Sequence, residues 1–474
     1  MKTAGWILAI ITIAVVIFFF VLPDSVSIDE AAIERLQRQA DQQAGRVDSP
    51  RGASDDRTPL PPNDMVVALV DDGDYWFIGK YEDGGGVEIP FPPGRRPEPP
   101  ADEPPQHANP GYVGPQSCQE CHPQYYQSFQ STAHYRTTRP CSPETIDGSF
   151  VEGQNVLRTK EPNLAFEMLR RDDQFFQRVR FFDWHFEVPM QIITGSSKMA
   201  QTYLYWHGDG LYQHNVTHLT EGDKWINSPG YIDGDAAYAR PVPARCLDCH
   251  MTYFDYRAPP NHYTPNSIIF GVTCERCHGP GEAHVQFHQQ HPEQKDAHEI
   301  VLPSELSRQR QLDICGQCHA GSTRLRGEPF QFRPGDELTQ YYTPPPEGSD
   351  AANSVHTSNQ ADRMAESECF RQSEMTCTDC HNPHENERGN MRLFSDKCLQ
   401  CHQTESCHFT PPGGIDLADN CIDCHMPTRP TEDLRLRSIA GDVFPSLRDH
   451  FVRVDQQATD EFLQRHQSEA TSSQ

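Results

Sequence analysis

Seven times in 474 residues, two cysteines stand three apart with a histidine directly after the second. In chain order the motifs are Cys118/Cys121/His122, Cys246/Cys249/His250, Cys274/Cys277/His278, Cys315/Cys318/His319, Cys377/Cys380/His381, Cys398/Cys401/His402 and Cys421/Cys424/His425. Cysteines three apart on one helical turn can reach the two vinyl groups of a single porphyrin, and the adjacent histidine then points at the iron from the same face. That is the attachment sequence for c-type haem. With 17 Cys and 23 His, chance would supply about 0.03 copies. Zinc ribbons also pair C-x-x-C, but they do not require a histidine after every second cysteine. The pattern therefore implies seven covalently bound haem c groups, with seven proximal iron ligands.

The elements that must position these groups are short. From Cys246 onwards the motifs begin 28, 41, 62, 21 and 23 residues apart, which leaves little room for strands. The expected architecture is a multihaem cytochrome c of mainly short α-helices and loops wrapped around stacked haems. Only 36% of residues are hydrophobic, mean hydropathy is −0.70 and there are 40 prolines. That is lean for a core of side chains alone, so porphyrins should supply much of the apolar surface and the fold should be largely unformed without them. A formal charge of −27 argues against nucleic acid and suits steering towards basic redox partners. Covalent haem attachment implies an oxidising, periplasm-like compartment. The cysteines left over are Cys141, Cys369 and Cys407, with Cys369–Cys407 a candidate disulfide and Cys141 an inert small side chain.

Residues 1–23 contain an uncharged apolar run, Ala4–Leu22, long enough to span a bilayer. With Lys2 before it and Asp24, Asp29 and Glu30 after it, it reads as a signal-anchor that holds the haems outside. A cleaved signal peptide ending near Ser25-Val-Ser27 is the competing reading. Residues 24–62 read as a short helix and linker, and 63–90 as a small β segment around Asp71-Asp-Gly73-Asp. Nine prolines between Pro90 and Pro110 mark 91–110 as a semi-rigid spacer. The heptahaem domain should occupy 111–455, and 456–474 a polar helix or tail. The first two motifs begin 128 residues apart. Alternating stretches at 176–182, 187–194 and 201–216, with a hairpin signal at Gly208-Asp-Gly210, make 148–235 an antiparallel β insertion.

Sixteen histidines lie outside the motifs. His284 follows Cys277-His278-Gly-Pro-Gly, a rigid turn that can aim it at a neighbouring haem. His384 lies three after His381 on a turn fixed by Pro383, and must serve a different iron. For irons left over, His214, His218, His262 and His356 compete. His207, His288, His291, His298 and His408 read as structural or surface residues, and Met426 as packing.

Residues 111–134, GYVGPQSCQECHPQYYQSFQSTAH, resemble the first haem segment of the tetrahaem electron-acceptor cytochromes that serve hydroxylamine oxidoreductase. GVTCERCHGPGEAH, MTCTDCHNPH and the closing CHMP with LRDHFVRV resemble the wider hydroxylamine-oxidoreductase-like multihaem cytochromes. The resemblance covers roughly 111–455 apart from much of the insertion. It implies mostly bis-histidine irons and closely packed porphyrins, and it adds His134 and His450 as distal ligands. Octahaem hydroxylamine oxidoreductases carry eight motifs, and pentahaem nitrite reductases a C-x-x-C-K; neither feature occurs here.

Three functions compete: a membrane-anchored periplasmic electron-transfer protein, which the tether and the haem density favour; an oxidoreductase with one open iron acting on a small nitrogen or sulfur compound; and a structural or partner-docking haem module.

Overall fold

The computed structural model describes residues 58–472 apart from 71–72, 81–84, 258–260, 322–323, 347–353, 408–414 and 432. The apolar run Ala4–Leu22, the helix expected after it and His408 lie outside the described residues. Among the described residues no helix is long and apolar enough to cross a membrane.

The described body is substantially β. Strands β1 (Val66–Val70), β2 (Tyr75–Gly79) and β3 (Gly86–Ile89) form an antiparallel meander. After β4 (Thr138–Pro140) come β5 (Val156–Arg158), β6 (Leu164–Arg171), β7 (Gln174–Phe181) and β8 (Trp184–Met190), a four-stranded antiparallel sheet. Next follow β9 (Ile192–Thr194), β10 (Ala200–His207), β11 (Gly210–Gln213), β12 (Val216–Leu219), β13 (Lys224–Asn227) and β14 (Ala236–Ala237). The hairpin β10–β11 turns at Gly208-Asp209 with His207 opposite Gly210, and Gly208 takes φ 59°. That left-handed conformation is why glycine stands there.

Alternation explains why these segments are strands. Leu164, Phe166, Met168, Val179, Phe186 and Val188 point inward, while Glu167, Arg178 and Glu187 pair across the outer face. Gln177, wholly buried, is satisfied: its amide donates to the Val216 carbonyl at 2.8 Å and accepts from Tyr238 Oη at 2.9 Å.

Three expectations change. The insertion is not self-contained, because β14 pairs in parallel with β3, and Met65, Ile78, Val87 and Phe91 share one core with Phe166, Trp184 and Tyr205. Residues 91–110 do not stand free. The backbone N–H of Glu98 donates to His207 Nδ1 at 3.0 Å and that of Gln106 to Asp255 Oδ2 at 2.8 Å. Short ladders also persist past Cys246, such as Met251–Tyr253 with Ile269–Phe270 and Thr428–Pro430 with Ser446–Arg448. Connections between haem motifs run side by side, and pairing is how their backbone groups are satisfied away from water.

This β core contains no haem-motif residue. The expectation that the whole fold depends on haem therefore narrows to the second half. Limited proteolysis of chain matured without haem should leave a resistant fragment spanning about 58–240 while the remainder is digested; uniform digestion would contradict it.

The C-terminal helix Gln456–Ser472 is not a trailing tail. Ala458 and Phe462 are buried, Arg465 reaches Asp423 at 3.4 Å, and Arg429 holds Asp455 at 3.1 Å. It closes over the seventh motif.

Candidate haem centres

Each motif histidine is locked to its cysteines by one turn of backbone. The N–H groups of His122, His278, His381, His402 and His425 donate to the carbonyl of the first cysteine in their motif, at 2.9–3.2 Å. His319 ends the helix Arg308–His319, and His250 closes a tighter turn on Leu247 at 2.9 Å. Two sulfurs and an imidazole thus share one face, as a porphyrin requires. The free thiols stand in for the thioether sulfurs of attached haem.

The imidazoles are oriented by their second nitrogen. Nδ1 of His278 meets the Val301 carbonyl at 2.8 Å, that of His319 the Thr357 carbonyl at 2.6 Å, and that of His425 the Arg453 carbonyl at 2.9 Å. Nδ1 of His284 does the same with the His298 carbonyl at 2.7 Å. A carbonyl only accepts, so Nδ1 carries the proton and Nε2 keeps its lone pair for iron.

The histidines outside the motifs are placed as follows. His284 stands over His122 with ring centroids 6.4 Å apart and planes at 18°. His384 stands over His278 at 6.1 Å and 15°, and His450 over His381 at 6.1 Å and 27°. His134 faces His319 at 6.1 Å and 67°. Metal–imidazole bonds are about 2 Å, and each ring centre lies about 1 Å behind its nitrogen, so two imidazoles sharing one ion need about 6 Å between centroids. All four pairs have room for one iron and are too far apart for direct stacking.

The four competing histidines are held elsewhere. His214, wholly buried, bonds the Pro189 carbonyl through Nε2 at 2.9 Å, and burial pushes its pKa down to about 3. His218 bonds Asp223 at 2.8 Å and packs on Trp225; His262 bonds Asp209 at 3.0 Å at a sheet edge. His356 Nδ1 accepts from the Ser358 N–H at 3.1 Å, which puts its proton on Nε2, the wrong tautomer for ligation through that atom. Among the described residues, no imidazole stands over His250, His402 or His425 at the spacing of the four pairs. His207 accepts from Glu98, His298 stacks on Phe287 and His288 edges His284. All 17 cysteines are free: Cys369 lies near Cys380 and Cys398, Cys407 near Cys424, and burial pushes the Cys141 thiol up.

The motifs form one connected set. Sulfur meets sulfur between Cys118 and Cys274, Cys249 and Cys318, Cys315 and Cys377, and Cys398 and Cys421. His384 ties the fifth motif to the third, and Cys380 beside Cys398 ties the fifth to the sixth. The fifth motif is thus a junction, with the first and third on one arm, the second and fourth on another, and the sixth and seventh on the last.

Residues between the cysteines weld the organising stretch 246–319, which sequence reasoning passed over as filler. Asp248 Oδ2 accepts from Arg245 at 3.0 Å and from Tyr342 Oη at 2.9 Å, while Arg276 Nη2 reaches the Asp248 carbonyl at 3.1 Å. Gln317 donates to the Arg276 carbonyl at 3.2 Å. Three motifs thereby share one buried polar network. Beside it, Glu275 accepts from the N–H groups of Val113, Gly114 and Gly281 at 2.8–2.9 Å, docking the first haem segment onto the third motif.

Repeated sulfur–imidazole sites in contact with one another define a class of protein that carries several covalent haems as a group. The chain is a multihaem c-type cytochrome. Residues 117–160 and 218–279 match the family described as cytochrome c554 and c-prime. The dissimilatory sulfite reductase MccA of Wolinella succinogenes is 21% identical over 393 residues, 67% of this chain and 50% of that protein. The multiheme cytochrome MtrA of Shewanella baltica is 27% identical over 154 residues, 29% of this chain and 44% of that one. The chain spans about half the length of these curated relatives. Among solved structures, outer cell wall cytochrome OcwA aligns with TM-score 0.47 and 16% identity over 72% of this chain and 80% of its own.

Proposed function

We propose that the chain is a membrane-anchored, periplasmic heptahaem cytochrome that passes electrons between redox partner proteins and carries out no bond chemistry of its own. The observation that carries this is the connected set of motifs, four of them with a second imidazole at iron-sharing distance. Haem would bind through the motif cysteines and supply the redox change; the protein's residues fix ligand, spacing and surroundings. Bis-histidine irons hold low potentials, because methionine ligation is what raises them. Cys121 and His122 at one end, and Cys401 and His402 at another, are exposed, which suits docking of partners at separate places. The run Ala4–Leu22 would tether the assembly.

The test is electron counting. A pyridine haemochrome assay should give seven haems per chain, and reductive titration should take up seven electrons, all returned to a one-electron acceptor. Six or fewer haems, or a fraction that cannot be reoxidised, would overturn the reading.

A second reading rests on His250. Its Nδ1 bonds Thr137 Oγ1 at 2.8 Å, no described imidazole stands over it, and the cluster of Arg245, Arg276 and Tyr342 lies beside its motif. A haem there with an open face could bind a small anion, and one relative is a sulfite reductase. A high-spin signal that responds to sulfite, nitrite or hydroxylamine would favour this reading; indifference to all three would remove it.

A further inference from the structure

The buried network of the second, third and fourth motifs is unbalanced in charge. Two guanidiniums, Arg245 and Arg276, face one carboxylate, Asp248. The side chain of Asp248 is 0% exposed and that of Arg276 2%. Arg276 Nε is buried without a hydrogen-bond partner in the protein, so its charge is only partly compensated by the chain. The neighbouring ionisable groups do not cancel the excess. Glu275 turns its carboxylate to the backbone N–H groups of Val113, Gly114 and Gly281. Arg333, bonded to Tyr112 Oη at 2.7 Å, adds a further cation near Arg276. Tyr342 is a neutral donor to Asp248. Cys249 and Cys318, which meet here, become uncharged thioethers once haem is attached.

A fixed positive charge in a weakly screening interior favours the ferrous over the ferric state of any iron nearby. Asp248 stands two residues before His250, Arg276 two before His278 and Gln317 two before His319, so three irons surround the charge. We infer that the Arg245–Asp248–Arg276 cluster sets the potentials of these three haems above those of the other arms, making this part of the conduit its electron reservoir. The inference rests on the electron-transfer reading above. An electron entering at the first or sixth motif would settle here before leaving. If the second haem proves to be open to substrate, the same bias would hold electrons where chemistry needs them.

The test is spectroelectrochemical titration of the full heptahaem chain in matched variants. Asp248→Asn removes the anion and should move the affected potentials up. Arg276→Gln removes a cation and should move them down. Arg245 is 25% exposed and tolerates change, so Arg245→Gln should lower the potentials while Arg245→Lys leaves them in place. The Arg245 pair keeps the test open if a buried variant fails to mature. Opposite shifts from opposite charge changes, with haem stoichiometry unaltered, support the inference. Shifts of one sign in all variants would mean that the cluster only excludes water. No shift would mean that a haem propionate or another anion already neutralises it. Either result overturns the inference while leaving electron transfer intact, whereas loss of reversible reduction in the parent would strike at the reading beneath it.

Discussion

Replacing His384 by alanine is expected to leave seven haems attached and turn one iron, that of His278, high-spin or water-ligated. The reason is geometric. His384 leaves the same short turn as His381, so the two cannot approach one iron from opposite faces, and its ring instead lies 6.1 Å from His278. Asn382 fixes that turn by accepting from the His384 N–H at 3.1 Å while its own N–H donates to Glu387. Cys377 and Cys380 are untouched, so attachment of the fifth haem is unaffected. One potential should rise as the second imidazole is lost, and stability should fall because a bond joining the third and fifth haems is gone. If spectrum and potentials match the parent, His384 is a surface residue and the third haem takes its ligand elsewhere.

Asp449→Asn should act at a distance on the His381 iron. Asp449 is 1% exposed and receives Arg363 through both oxygens at 2.9 and 2.8 Å and Arg453 at 2.7 Å. Its neighbour His450 faces His381. The same segment exchanges hydrogen bonds with the seventh motif: Arg453 N–H donates to the His425 carbonyl at 3.1 Å, and His425 Nδ1 to the Arg453 carbonyl at 2.9 Å. Removing the carboxylate's charge strands two arginines, one of them mostly buried, at a cost on the order of 3 kcal/mol. Denaturant unfolding should show that loss, with a weakened low-spin signal from the His381 iron. An unchanged midpoint would mean that the ion pairs are ornamental.

What the sequence made legible follows from how local each feature is. C-x-x-C-H is a single-turn signal, and His284 and His384 follow their motifs on Pro-containing turns, so their direction could be read within a dozen residues. His134 and His450 came from resemblance, and the structure sets each against a motif histidine. His214 and His218 could not be judged alone, because their fate depends on Pro189, Asp223 and Trp225 across the sheet. His356 was decided by a proton position that only the Ser358 contact reveals. The Asp248–Arg276–Gln317 network joins residues up to 69 apart in sequence, and nothing in C-x-x-C-H spacing announces it. Residues 58–110 looked like linker because proline suggested a spacer, yet Phe91 and Val87 find their partners in strands a hundred residues on. Periodicity tells which face of a strand is apolar but not what covers it.

The four-pair ligation scheme has one direct measurement, electron paramagnetic resonance of the fully oxidised protein with each signal integrated against total iron. Near-parallel imidazoles, as in the pairs at 15°, 18° and 27°, give rhombic low-spin spectra, whereas the steep pair at 67° gives a strongly anisotropic one. The scheme predicts low-spin iron in at least four haems, three of them rhombic and one, that of His319, of the anisotropic kind that disappears in His134→Ala. High-spin iron in more than three haems, or an anisotropic signal untouched by loss of His134, would contradict it.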